Sequence, residues 1–434
     1  MSANILPRSA RSTPYGWMLI GVVALYLLLS APTLAALGIP YDVMQGSFPA
    51  KIHPGTYLLV ITCLVASRSV SFGLAGWRRT CAEQPLLLAY LACMLGCFAW
   101  AVARHGPAGL AFYIDSLIAP GFLGLLVASL PQESRSALLE VIMVLLTINA
   151  VISLIEYGLK AHLVPGVMGA SDQDNGGFFR SAALLGHPLT NAKVTVAALP
   201  FATRLRWAWP WRMLVITLLA LSLLSFGGRT SLLVGGGVYG VATCVALIRR
   251  LLAGRFTYLQ LTGGSVGVAL AGALMAFIVV STGLGDRFFQ NFAWDNSASV
   301  RFQIWHTLDH FSGLDLWLGL PIQGIDHLAE KVGLDMRFEA IENFWLYQLL
   351  LLGLVGFVPF VLGLVLLIVH LVRRAQPMLW LAVVVYFVVA SGTNSLASKT
   401  ISLLLLTVMV HACVNKKTQE LRAGGAVSRT KRGV

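Results

Sequence analysis

Four short stretches of this chain bring arginine, histidine, carboxylate and amide groups to the edges of long apolar runs. They are Arg180 to Asn191, which contains His187-Pro188; Gly227-Gly228-Arg229-Thr230-Ser231; Ser299-Val300-Arg301 to Trp305; and Glu342-Asn343. Arg229 follows two glycines and opens an apolar run, so a guanidinium lies beside the free N–H groups of a helix start, a combination that suits a phosphate. Arg301 stands one helical turn before Trp305 and offers a second cation, with Arg180 as an accessory third. Glu342 precedes a nearly uncharged run from Asn343 to Leu371, which places it where water meets hydrocarbon. A carboxylate there is raised towards the range of a general base, and His187 is the second candidate for that role. Lys193 lies one to two turns deeper, where a charge costs roughly 2.5–3.5 kcal/mol at mid-membrane, so it is expected to face a polar cavity. Asp115 and Glu156 are the carboxylates within reach of such runs that could partner Lys193 or Arg180.

Each residue also has a plainer reading when taken alone. Arg229 could snorkel to headgroups, and Arg301 could be a solvated loop residue. Glu342 could simply be favoured by a helix dipole, and His187 could be a structural hydrogen-bonding histidine. His306 and His310 are four apart beside Asp309, but no third ligand at fixed spacing accompanies them, so they are a weak metal signal. The glycines at 235–237 and Gly240 resemble a phosphate loop but lie in an apolar run with no following lysine. Gly236/Gly240 and Gly263/Gly267 read better as points of close helix packing.

The elements that must hold these residues follow from composition. The 434 residues are 57% hydrophobic and only 11% charged, with a mean hydropathy of +0.78. A soluble protein carries about a quarter charged residues, so a soluble enzyme, a disordered chain and a nucleic-acid-binding domain are all excluded. Runs long enough to cross a bilayer lie near 17–37, 55–74, 85–103, 108–130, 137–158, 183–203, 211–226, 229–250, 258–282, 341–371, 377–394 and 397–414. The expected class is an all-α polytopic membrane protein with about 12 transmembrane helices, a single transmembrane domain over residues 1–414. About two thirds of the 31 lysines and arginines fall on the side of the two basic termini, among them Arg68, Arg78, Arg79, Arg135, Arg204, Arg206, Arg249, Arg250, Arg373 and Arg374. By the positive-inside rule both termini are cytoplasmic, and the net charge of +13 needs no acidic partner.

Two loops on the other side are long, residues 159–182 and the large loop 283–340, and such lengths usually mean function. In the second, Ser299 could cap a segment carrying Phe302, Ile304, Trp305 and Leu308, and another short helix fits Ile325 to Val332. Arg8 and Arg11 before the first run mimic a signal peptide, better read as an uncleaved anchor. The six cysteines have no metal spacing. The tail after Val414 is expected to be cytoplasmic, basic and disordered.

Taken in order, these clusters resemble the superfamily of O-antigen ligases and Wzy-type polysaccharide polymerases. The matching stretches are Arg180 to Asn191, Gly228-Arg229-Thr230-Ser231, Val300-Arg301-Phe302 to Trp305, the Leu318-Gly319-Leu-Pro-Ile-Gln-Gly324 turn, and Glu342-Asn343 through Leu352-Gly353-Leu354-Val355-Gly356. The resemblance is architectural over nearly the whole chain and rests on short, degenerate motifs. It implies a GT-C-like glycosyltransferase of the bacterial inner membrane, working on the periplasmic face with an undecaprenyl-diphosphate-linked glycan donor. It also implies a glycan or lipid-linked acceptor, no nucleotide sugar, no metal and no other cofactor. For such a reaction a leaving diphosphate needs preorganised cations, so Arg229 and Arg301 are expected to grip it with Arg180 as an accessory contact, Glu342 first or His187 second to take the proton, and Asn343, Lys193 and Trp305 to be accessory. Ligases open the helix after the long loop with a His-Asn pair, whereas this chain has Glu342-Asn343, which favours a polymerase of O-antigen, exopolysaccharide or capsule units. A chain-length regulator or a flippase would be natural partners. Transfer of glycan to lipid A-core, or a transporter or lipid flippase, are the alternatives.

Overall fold

Proline and glycine decide where these helices start, bend and stop. The computed structural model describes residues 14–42, 47–69, 72–164, 179–254, 280–281, 284, 302–334, 341, 343–376, 378–394 and 396–414. Among the described residues every regular element is helical. In chain order they are α1 (Pro14–Leu28), α2 (Ala31–Ala36), α3 (Pro54–Arg68), α4 (Gly73–Glu83), α5 (Pro85–His105), α6 (Ala119–Ser129), α7 (Gln132–Leu159), α8 (Pro188–Ala202), α9 (Trp209–Phe226) and α10 (Arg229–Leu252). Then follow α11 (Leu314–Leu318), α12 (Ile322–Lys331), α13 (Phe344–Arg374), α14 (Trp380–Ser391) and α15 (Ser402–Ala412). Five of them, α5, α7, α9, α10 and α13, are long and apolar enough to cross a membrane, and α3 with α4 forms a sixth if that pair, bent by 111°, is one span. Residues 258–279 of the run at 258–282 and the tail after Val414 lie outside the described residues.

Several expected spans are shorter than their apolar runs. α1 stops at Leu28, α14 has 12 residues and α15 has 11. A proline at the first or second position opens α2, α3, α5, α6, α8 and α9, because its missing N–H is harmless there and its fixed φ suits a helix start. Broken backbone inside a bilayer must be covered by protein or line a water-filled space. The break at Leu29–Ser30 falls inside the expected run 17–37, and it lines one cavity together with the approach to α3 and the α14–α15 connection.

The outward faces are apolar. Val60, Ile61 and Leu64 of α3, Leu233 and Val241 of α10, and Val358 and Leu362 of α13 are exposed. In water such a surface would aggregate; against lipid it is the ordinary solvent-facing side. Together with the long apolar helices it fits a multi-pass membrane protein.

Inside, α5 packs along α13, and α8 is surrounded by α9, α10, α14 and α15. The helix α13 is kinked at Gly353, whose φ of 60° and ψ of −179° are not helical. The kink frees the carbonyls of Leu351 and Leu352, and α5 takes both: His105 Nε2 lies 3.0 Å from the first, and Trp100 Nε1 donates at 3.0 Å to the second. Gly319, at φ +80°, presses into the same bend, where a Cβ would come 2.2 Å from the Leu351 carbonyl oxygen. The expected packing at Gly236 and Gly240 needs correction. Nothing lies within 4 Å of a Cβ at either, whereas one at Gly235 would come 2.1 Å from Val196 of α8. The close face of α10 is therefore one residue, about 100° of helix, away from the one expected. The expected second loop helix is present as α12, and a 3₁₀ helix at Ile304–His310 takes the place of the first.

Candidate functional site

The larger cavity has a volume of about 560 Å³, within the roughly 300–1,000 Å³ typical of ligand pockets. Its walls come from the break after α1 (Leu29, Ser30), the approach to α3 (Tyr41, Asp42, His53), the start of α8 (Gly186, His187, Thr190) and the α14–α15 connection (Thr393, Asn394, Lys399). A smaller cavity of about 130 Å³ is lined by Gln132, Arg204, Gln376 and Cys413. Because α8 and α15 each run from the larger cavity to the smaller one, the two mark opposite ends of the bundle.

The cavity wall is fastened by Asp115, on a π-helical turn at Tyr113–Ile118. Its Oδ1 accepts from the Thr56 hydroxyl at 2.5 Å, and its Oδ2 accepts from the Tyr41 hydroxyl at 3.0 Å and the His53 backbone N–H at 3.1 Å. Tyr26 bonds Thr56 in turn and stacks on the His53 ring with centroids 4.3 Å apart. The His53 tautomer follows from its partners: Nδ1 accepts from the Gly55 N–H at 3.0 Å, so Nε2 carries the proton and donates to the Leu29 carbonyl at 2.7 Å. Burial holds this imidazole down at about 4, only partly offset by the bond to Leu29. Asp42 is pushed the other way, upwards by burial, with Lys399 opposing. Lys399 donates to the Tyr41 carbonyl and lies 4.2 Å from the centroid of that ring.

The stretch Arg180–Asn191 is a built loop held by α7. Glu156 accepts from the Ser181 hydroxyl at 2.5 Å and from the N–H groups of Ala182 and Ala183 at 3.1 and 3.0 Å. Asn149 accepts from the Leu184 N–H at 2.9 Å and donates to Asn191 at 2.8 Å. Asn191 closes the loop by donating to the carbonyls of Ala182 and His187. Neither Asp115 nor Glu156 bonds Lys193, so that expected pairing is corrected: both carboxylates satisfy themselves on hydroxyls and N–H groups that need no second buried charge.

This loop carries Arg180 to the end of α9, where Nε donates to the Phe226 carbonyl at 3.2 Å while the Ser181 N–H donates to the Ser225 carbonyl at 3.1 Å. A cation at a helix C-terminus is favoured by the dipole. The chain then turns through Gly227, at φ +63°, and α10 begins at Arg229. A Cβ on Gly228 would come 2.5 Å from that of Ala192, so α10 starts flush against the second turn of α8. Arg180 and Arg229, 49 positions apart in the chain, thus flank the Gly227–Gly228 turn, both half-buried. His187 occupies the N-cap position of α8 without capping it, and its exposed ring lines the cavity. Arg180 and Lys193 both bear on it electrostatically.

Lys193, six residues and nearly two turns further on, is buried. Its ammonium makes no hydrogen bond among the described residues and sits 5.7 Å from the centroid of the Tyr386 ring. The Tyr386 hydroxyl meets Ser402 at 2.9 Å, and Thr400 at the cavity wall meets Ser402 at 3.1 Å, which gives a line of hydroxyls from the cavity towards this lysine. Asn343 caps α13, its Oδ1 accepting from the N–H groups of Trp345 and Leu346 at 3.0 and 3.2 Å. The next residue, Phe344, donates its N–H to the Thr393 carbonyl at 3.2 Å, so the start of α13 is tied to the cavity wall. Trp305 is exposed on the 3₁₀ helix, and His306 there faces Asp309 at 3.1 Å. Arg301 and Glu342 lie outside the described residues.

Sequence reasoning missed Tyr41, Asp42, His53 and Lys399 as parts of one wall. A signal was present: His53-Pro54 and His187-Pro188 are the same dipeptide, each placing a histidine just before a helix that proline opens, and both histidines line the cavity. No family model, no curated protein and no solved structure matches the chain at a significant level, so its functional reading rests on its own residues.

Proposed function

We propose that the chain is a membrane glycosyltransferase that polymerises polyprenyl-diphosphate-linked oligosaccharide repeat units at the periplasmic face of the bacterial inner membrane. The observation that carries this reading is the corner where Arg180 and Arg229 flank the Gly227–Gly228 turn against α8, with His187 of the same helix start exposed in a 560 Å³ cavity. Two guanidiniums beside a helix start suit a diphosphate, and a cavity walled by tyrosine, histidine, carboxylate and amide groups suits sugar hydroxyls and sugar faces.

In the proposed reaction the bond between the anomeric carbon and the diphosphate oxygen breaks, and its electron pair leaves on the diphosphate. The acceptor hydroxyl bonds to the same carbon from the opposite face and gives its proton to a base, so configuration inverts. Arg229 and Arg301 hold the leaving diphosphate, with Arg180 accessory. Preorganised donors of this kind each lower the barrier by a few kcal/mol. Glu342 is the first choice of base and His187 the second. Asn343 acts by starting α13 beside the cavity wall. The Glu342-Asn343 pair in place of His-Asn supports polymerisation over ligation.

Broken helices round a polar cavity also suit a transporter, so the test must separate the two. Purified protein given a lipid-diphosphate-linked repeat unit, with chelator and no nucleotide, should produce a ladder of longer glycans. A single transfer to lipid A-core would identify a ligase. No transfer, with solute uptake into vesicles, would overturn the enzymatic reading.

A further inference from the structure

The opposite end of the bundle holds a buried cation that the transfer reading does not use. Arg135, on the first turn of α7, is 2% exposed. Its Nη1 donates to the His411 carbonyl at 3.3 Å, while Nε and Nη2 have no hydrogen-bond partner among the described residues. A guanidinium carries five N–H donors and cannot shed its charge, so idle nitrogens in a buried position call for an anion. Arg135 is not on the lining of the smaller cavity, but its chain neighbours are. Gln132 and Ser136, which flank Arg135 on α7, and Cys413, two residues beyond His411, line it, and Arg204 and Arg206 close it from the segment after α8. Glu140 is the one carboxylate of that lining, set against two arginines with Arg135 behind them. Arg374 adds repulsion on Arg135. The first N–H groups of α7, unpaired within the helix, point to the same end. Arginines in the loops at this end follow from membrane orientation alone, but orientation does not explain a guanidinium buried with two nitrogens idle.

We propose that this end of the bundle binds a phosphate group through Arg135, Arg204 and Arg206, independently of the reaction at the larger cavity. The phosphate is either the headgroup of an anionic lipid or the free ion, and the two sources can be told apart with the full-length protein. Native mass spectrometry after transfer from phosphatidylglycerol or phosphatidylcholine vesicles counts retained lipid, and melting in neutral detergent with added inorganic phosphate reads the free ion. A lipid site retains phosphatidylglycerol at least about tenfold better than phosphatidylcholine and loses that preference in Arg135→Gln. A free-ion site shows no lipid preference, but phosphate raises the melting midpoint by a few degrees in wild type and not in the variant. If Arg135→Gln does not fold, the exposed pair Arg204→Ala with Arg206→Ala decides, and it should weaken the same signal about tenfold. Equal retention of both lipids with no phosphate shift, or a signal unchanged in these variants, overturns the proposal.

Discussion

His53 shows how one ring can hold a cavity wall. Its Nδ1 accepts one N–H, its Nε2 donates to one carbonyl, and its face stacks on Tyr26, so a second proton would break the bond to Gly55. Burial holds the group at about 4 against an ordinary 6.5, so on acidification the unfolded chain takes up the proton first. The contribution is therefore complete above pH about 6.5 and is lost as the pH falls towards 4, on the order of 3 kcal/mol in all. Melting in detergent should show this loss between those values, and His53→Gln, which cannot charge, should flatten that part of the profile; an unchanged slope in the variant would remove the assignment. Such a role is hard to read from a sequence because it depends on Tyr26 and Leu29 at the end of α1 and Asp115 from a third segment meeting His53. Arg180, Arg229 and His187 were easier to find, since each stands at the edge of an apolar run, where a charged or polar residue needs a reason.

At the scale of elements, the bend of α13 is the clearest case of two sequence motifs explaining each other. Gly353 takes a non-helical conformation, Gly319 fills the bend, and the Leu320 N–H donates to the Leu350 carbonyl at 2.7 Å. Gly319→Ala would drive a methyl into backbone and should cost more than about 2 kcal/mol, seen as a clear fall in melting temperature. Gly236→Ala meets open space and should be neutral, or stabilising by up to about 1 kcal/mol through helix propensity. Equal effects from the two would show that the bend is not held as described. The starts of α3 and α5 were legible to within a residue, whereas the expected runs 17–37 and 108–130 pass through Pro32 and Pro120, where α2 and α6 begin; the cap at Asn343 could be read from its place before an apolar run. The end of α1 was not legible, because the apolar run 17–37 continues past it and the freed Leu29 carbonyl is taken by His53, a residue from another segment.

For the whole molecule, hydropathy was enough to recognise an all-helical membrane class, because an apolar surface and low charge leave no other solvent for it. The cavity was not legible, since it arises from the meeting of four chain breaks and no single run encodes it. The two ends make a topological prediction. In a background with the six cysteines replaced, a cysteine at exposed position 306 should react with an impermeant thiol reagent in intact cells, and one at 206 only after the membrane is opened. The reverse pattern would turn the arginine corner towards the cytosol and exclude a periplasmic reaction. The central claim is tested most directly by the rate of glycan transfer in Arg180→Ala and Arg229→Ala, purified and shown to melt like wild type. The expected result is a fall in kcat/KM of about 100-fold or more for Arg229→Ala, a smaller fall for Arg180→Ala, and partial recovery with lysine at 229. Glycan ladders of normal length and rate from Arg229→Ala would contradict the account.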